Sequence, residues 1–198
     1  MEKETFPKLS LYVLASTKMI ILSLLALAVI GCESLMQVIP PLPTQTPFML
    51  TELPPGTREV PFETIFQEVI SQYEGYRPGL VIITDPDQAQ EFEETTYPES
   101  PIQLSTIDFH HQFVIVAFYG HRPMGGPRIE IKQIVRRNSR VDVYAYFTDV
   151  PRGQPRPAMP VSPLHAVKVR KTTEWSGEFT FILYDNDRPV AETRHFVP

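Results

Sequence analysis

The 198-residue chain has a single cysteine, Cys32, and only nine glycines. One cysteine permits no disulfide within the chain, and no thiol follows position 32 to serve as a nucleophile. Basic residues are not in excess: 18 Lys+Arg stand against 23 Asp+Glu, a net charge of −5. The electrostatic footprint of a nucleic-acid binder is therefore missing, and so is a polybasic means of holding anionic lipid. The apolar run 19–31 has thirteen residues without a charge, short of the roughly 20 that a spanning helix requires. There is no Gly-x-Ser-x-Gly elbow and no phosphate-binding loop. His110, His111, His121, His165 and His195 include no pair at a zinc-motif spacing such as His-x-x-x-His. His110 and His111 are adjacent, so on a strand they would face opposite ways. What the chain has in quantity is proline, 21 residues.

The N-terminus reads as a targeting segment. Lys3, Lys8 and Lys18 precede the apolar run, which ends in Val29-Ile30-Gly31-Cys32. This length and order fit a secretory leader, residues 1–31, that is removed from the mature protein. The tetrapeptide resembles a bacterial lipobox, in which the cysteine is acylated before cleavage. Cys32 is thus the expected lipid attachment site, and the resemblance implies a diacylglyceryl thioether there. One acyl chain gives only marginal anchoring, at about 0.8 kcal/mol per buried methylene, so two or more are needed. Glu33 follows directly, the position at which an acidic residue can influence sorting. Once the leader is gone the chain carries 15 Lys+Arg and 21 Asp+Glu and has no free thiol. Residues 32–61 read as lipidated N-terminus and linker, with prolines at 40, 41, 43, 47, 54, 55 and 61. Proline fixes φ and lacks a backbone donor, so regular structure is disfavoured. At about 3.1 Å per residue, stretch 37–61 could reach ~75 Å from a bilayer.

Residues 62–198 read as one β domain. Residues 79–84 (Gly-Leu-Val-Ile-Ile-Thr) form a short β-branched run. Residues 113–119 (Phe-Val-Ile-Val-Ala-Phe-Tyr) are apolar on both faces, as in a central strand covered on both sides. Residues 128–135 alternate around Ile129 and Ile131 and then change phase at Ile134, which suggests a bulge. Residues 140–147 place Val141, Val143, Ala145 and Phe147 on one face, and Asp142, Tyr144 and Tyr146 on the other. His165, Val167 and Val169 share a face of another strand. Residues 179–184 and 190–196 flank Asp185-Asn186-Asp187-Arg188-Pro189 and read as a closing hairpin. Residues 87–94 suit one short helix, whereas 62–73 fit a helical stripe or a strand equally well. The expected class is mainly β: an antiparallel sandwich or half-open barrel with one short helix.

The strand at 113–118 runs into Gly120-His121-Arg122-Pro123-Met124-Gly125-Gly126-Pro127 and then Arg128-Ile129-Glu130-Ile131. This resembles the C-terminal domain of the PrcB family of protease-complex subunits, where a hydrophobic strand ends in a Gly-x-x-Pro-Thr-Gly-Gly-aromatic turn. Val161-Ser162-Pro163-Leu164-His165-Ala166-Val167-Lys168-Val169 is similar to that family's Pro-aromatic-His strand. Met124 and Pro127 depart from the usual Thr and aromatic residue. The resemblance covers residues 107–171 and implies a strand for 62–73, export as a lipoprotein, and a protein partner such as an extracytoplasmic protease or its propeptide.

Gly120, His121, Arg122, Pro123, Gly125, Gly126 and His165 are the candidate binding residues. His165, set among valines, reads first as a buried side chain hydrogen-bonded across the sheet. Loop 148–160, with prolines at 151, 155, 157 and 160, is long for a connection inside a compact domain and makes a second candidate contact surface. Arg136, Arg137 and Arg140 ring a turn at Asn138-Ser139 and read as a hairpin tip. The expectation is a non-catalytic, lipid-anchored envelope protein, outside the cytoplasm, that needs no cofactor or metal and contacts no nucleic acid. Two readings compete with it: an enzyme with a dispersed metal or acid–base site using His121 or His165, and a structural envelope lipoprotein without a specific partner.

Overall fold

The computed structural model describes residue 50 and residues 52–96, 104–151 and 153–198; the leader, Cys32 and most of the proline-rich stretch lie outside them. The described chain is mainly β, with two sheets facing each other and no barrel closure among the described residues. In chain order the elements are β1 (Arg58–Glu59), β2 (Phe62–Glu68), β3 (Gly79–Ile83), helix α1 (Pro86–Thr96) and a short 3-10 turn (Leu104–Thr106). Then come β4 (Gln112–Phe118), β5 (Arg128–Arg137), β6 (Arg140–Thr148), β7 (Leu164–Arg170), β8 (Gly177–Asp185) and β9 (Arg188–Val197). One sheet has the order β1-β5-β6-β8-β9, the other β2-β7-β4-β3.

All pairings are antiparallel except one: β6 and β8 run parallel, with Val141 opposite Phe181 and Val143 opposite Leu183. This departs from the all-antiparallel expectation, and its cause is the path of the chain. After β6 the chain crosses to the other sheet as β7, reverses there, and returns as β8 beside β6. β1 falls inside the stretch read as linker, and Val60 beside it is buried in the core.

Two apolar layers hold the domain together. Between the sheets lie Phe113, Ile115 and Ala117 of β4, Val167 and Val169 of β7, Val141 and Val143 of β6, and Phe181 and Leu183 of β8. On the far side of the β4 sheet, Val114, Val116 and Phe118 pack with Ala89 and Phe92 of α1 and with Leu104. β4 is thus apolar on both faces because both are covered, at about 1.5–3 kcal/mol for each large aliphatic or aromatic side chain buried. The helix starts where a polar cap allows: the Gln88 N–H donates to Asp85 Oδ1 at 2.8 Å. Pro86 occupies the first helical position, where a missing N–H costs nothing.

The phase change in β5 is a bulge, with register shifting between Ile131 and Gln133. β2 is a strand, as the resemblance implies, and its own register shift between Thr64 and Phe66 hides the period-2 pattern. The β8–β9 hairpin turns at Asn186, φ 57°, and the β5–β6 hairpin at Asn138, φ 53°. Asparagine tolerates this left-handed conformation better than most residues.

Candidate functional site

Strand polarity gathers four connections at one end of the sandwich. They are the β2–β3 loop (69–78), the β4–β5 turn (119–127), the β6–β7 loop (149–163) and the tip of the β8–β9 hairpin. The two segments singled out in the sequence interlock here. Arg122 and Val161 form an isolated antiparallel bridge, each N–H donating to the other's carbonyl at 2.8 and 2.9 Å. The Gly125 N–H donates to Pro157 O at 2.9 Å. A methyl group added at Gly125 would meet the Pro157 ring at 3.0 Å, and one at Gly126 would lie 2.0 Å from Val150 Cγ2. Gly126 also has φ 109°. The twin glycines therefore serve this turn in two ways: they let the proline-rich loop lie flat on it, and one supplies a backbone conformation that side chains resist.

The third participant, loop 69–78, carried no motif. Gly120 has φ 93°, and its absent side chain leaves room for the backbone of Tyr76 and Arg77, 2.8–2.9 Å from where a Cβ would stand. The His121 N–H donates to Gly75 O at 2.7 Å. Ser162, 1% exposed, fixes the loop from beneath: its hydroxyl donates to Tyr73 O at 2.8 Å, its carbonyl accepts from Ser71 Oγ at 2.8 Å, and its N–H donates to Val69 O at 3.1 Å. Tyr73 stacks on Phe118 with ring centroids 4.3 Å apart. A buried serine between short loops gives little sign in sequence, because serine is common in loops for other reasons.

Arg122 is the charged centre of this end. Its guanidinium lies 4.5 Å from the Tyr119 ring centroid and donates to Tyr76 O at 3.1 Å. Tyr76 meets His121 edge-on at 5.4 Å. Burial and the nearby Asp149 carboxylate push the Tyr119 hydroxyl above its ordinary pKa, with Arg122 opposing them. Arg156 ties the loop back on itself, pairing with Asp149 at 3.4 Å and donating to Val150 O. Around this polar centre Tyr76 is 75% exposed, and Met124 and Met159 are 45% exposed each. Pro123 is exposed with them. Gly120, His121, Arg122, Pro123, Gly125 and Gly126 thus share one surface with loop 149–163, and large apolar side chains on it face water.

His165 is not part of that surface. It is 2% exposed, between the sheets. Its Nδ1 accepts from the Ile131 N–H at 2.8 Å, and Nε2 lies 3.0 Å from Thr64 Oγ1. The backbone N–H can only donate, so Nδ1 is the bare nitrogen and Nε2 carries the proton toward Thr64. Ile131 stands at the β5 bulge, where β5 has no neighbouring strand on its outer side, since β1 reaches only Val135 and Arg136. His165 caps that edge donor, and Gln67 Nε2 caps the neighbouring Ile129 carbonyl at 2.7 Å. Burial pushes the imidazole down to about 4, so it is neutral and both nitrogens are engaged. That leaves it no lone pair for proton transfer.

At the opposite end Arg136, read as part of a hairpin tip, turns inward. Its guanidinium lies 4.5 Å from the Trp175 ring and 4.9 Å from Phe179. It donates to Asn138 O and Glu174 O. Among the described residues no group of three or more His, Cys, Asp or Glu is placed to hold a metal ion.

No curated protein and no solved structure matches the chain. The matched region that does exist begins in β4 and ends with β7, so it takes in the glycine turn, the proline-rich loop and the His165 strand. Over these residues, 113–170, the chain matches the family model described as PrcB C-terminal.

Proposed function

We propose that this is a lipid-anchored envelope protein whose β domain is a non-catalytic binding module, accessory to an extracytoplasmic protease complex. The observation that carries the reading is the interlocked end surface, where Tyr76, Met124 and Met159 are exposed around Arg122. Exposed methionine and tyrosine beside a fixed arginine have the composition of a protein contact: flexible and aromatic apolar groups around one directional charge. The family match supports a protease-complex association and covers both loops that build the surface. Anchoring is the expectation from Val29-Ile30-Gly31-Cys32; it confines the module to a membrane face and raises its effective concentration toward partners held there.

Photo-crosslinking in intact cells tests the reading. A photoreactive residue at position 124 or 159 is expected to trap one recurrent protein, a protease or a subunit bound to one. The same residue at position 194, on β9 away from this end, should not. Equal labelling from 124 and 194, or no discrete adduct from any position, would sink the proposal.

A further inference from the structure

The opposite end of the sandwich holds a cleft of about 500 Å³, within the ~300–1,000 Å³ range of small-ligand sites. One side is apolar: Val60, Pro61, Phe62 and Trp175. Trp175 is held in place, its ring 4.9 Å from Phe113 and overlain by Arg136 at 4.5 Å. The other side is cationic, and its charges are not equivalent. Arg58 is paired with Glu174, and Lys168 with Glu63 at 2.9 Å. Arg170 has no side-chain hydrogen bond or ion pair among the described residues. It also lines an adjoining cleft of about 340 Å³ with Asp108 and His111, whose charges are engaged with each other at 2.7 Å.

Strand register explains why Arg170 stands there. It lies opposite Gln112 and shares a β7 face with Leu164 and Ala166, which α1 and its neighbours cover. Lys168 and Arg170 continue that face past the edge of the covered patch, where β7 leaves the apolar cluster. The result is one uncommitted guanidinium beside a rigid aromatic wall. Guanidinium matches a carboxylate with two parallel hydrogen bonds, and the wall offers apolar area to whatever is attached to that carboxylate.

We propose that this cleft takes the C-terminal end of a peptide, with Arg170 gripping the free carboxylate and Pro61, Phe62 and Trp175 accommodating apolar terminal side chains. The site lies at the other end of the domain from the Arg122 surface and does not depend on its role.

The test probes the purified full chain, in detergent, against an array of decapeptides with free C-termini and a matching array with amidated C-termini. Selective retention of free-acid peptides with apolar last residues is expected. Because Trp175 is the only tryptophan, its fluorescence then reads the affinity of a retained peptide. R170Q is expected to weaken that affinity roughly tenfold to a hundredfold, the effect of losing a charged hydrogen-bonding partner. R194Q, on β9, should leave it unchanged, with circular dichroism showing both variants folded. Equal retention by the two arrays, retention by neither, or undiminished binding by folded R170Q would each overturn the proposal.

Discussion

At the scale of single residues, His165 shows how one side chain can serve two sheets at once. It satisfies an edge N–H of β5 and the Thr64 hydroxyl of β2 from its place on β7. Replacing it with leucine keeps the volume but leaves the Ile131 N–H buried without an acceptor, which costs about 1–3 kcal/mol. Denaturant unfolding at pH 7 measures this directly. The imidazole titrates near 6.5 when unfolded and at about 4 when folded, so below pH 6.5 the unfolded chain binds a proton that the folded one resists. Stability is therefore lost as pH falls from 6.5 toward 4, by on the order of 3 kcal/mol in full. His195, also pushed down by burial, acts in the same direction. The H165L variant should show a visibly shallower loss across that window; a slope identical to wild type would contradict the neutral, doubly bonded imidazole. The sequence placed His165 among buried valines correctly, because the period-2 pattern of β7 is clean. It could not supply the partners, since Thr64 and Ile131 are set by two bulges in other strands.

At the scale of elements, the glycine turn and the proline-rich loop act as one unit. G126A should destabilise the domain by about 2–4 kcal/mol, part from the collision with Val150 and part from the positive φ. Adding V150A removes the collision but not the backbone conformation, so the double variant should recover some of that loss and not all of it. Additive losses in a thermal or denaturant melt would mean the two loops do not press on each other there. Both loops were legible as separate signals, one from Gly-Gly and one from proline spacing. Their contact was not, because it depends on the bridge between Arg122 and Val161, 39 positions apart. Loop 69–78 was missed for a related reason: its role lies in carbonyls aimed at Gly120 and His121, and backbone groups leave no residue signature. The strands themselves were readable wherever alternation was unbroken, as in β6. In β2 the bulge at Thr64–Phe66 produced the spacing of a helical stripe.

At the scale of the whole molecule, the domain stands without covalent help. Its one cysteine precedes every described element, so reducing agents should not shift its melting temperature, and C32A should leave the isolated domain's stability unchanged while releasing the protein from membranes. A fall in stability with C32A would contradict the separation of anchor from fold. The most direct measurement of the central claim joins both ends of the account. Crosslinking yield from a photoreactive residue at position 124 is compared between the wild-type chain and C32A, expressed at equal levels in intact cells. The account predicts a single protein adduct that falls severalfold in C32A, because the tether that concentrates the Arg122 surface near its partner is gone. An adduct of equal yield from the untethered chain, or none from either, would contradict it.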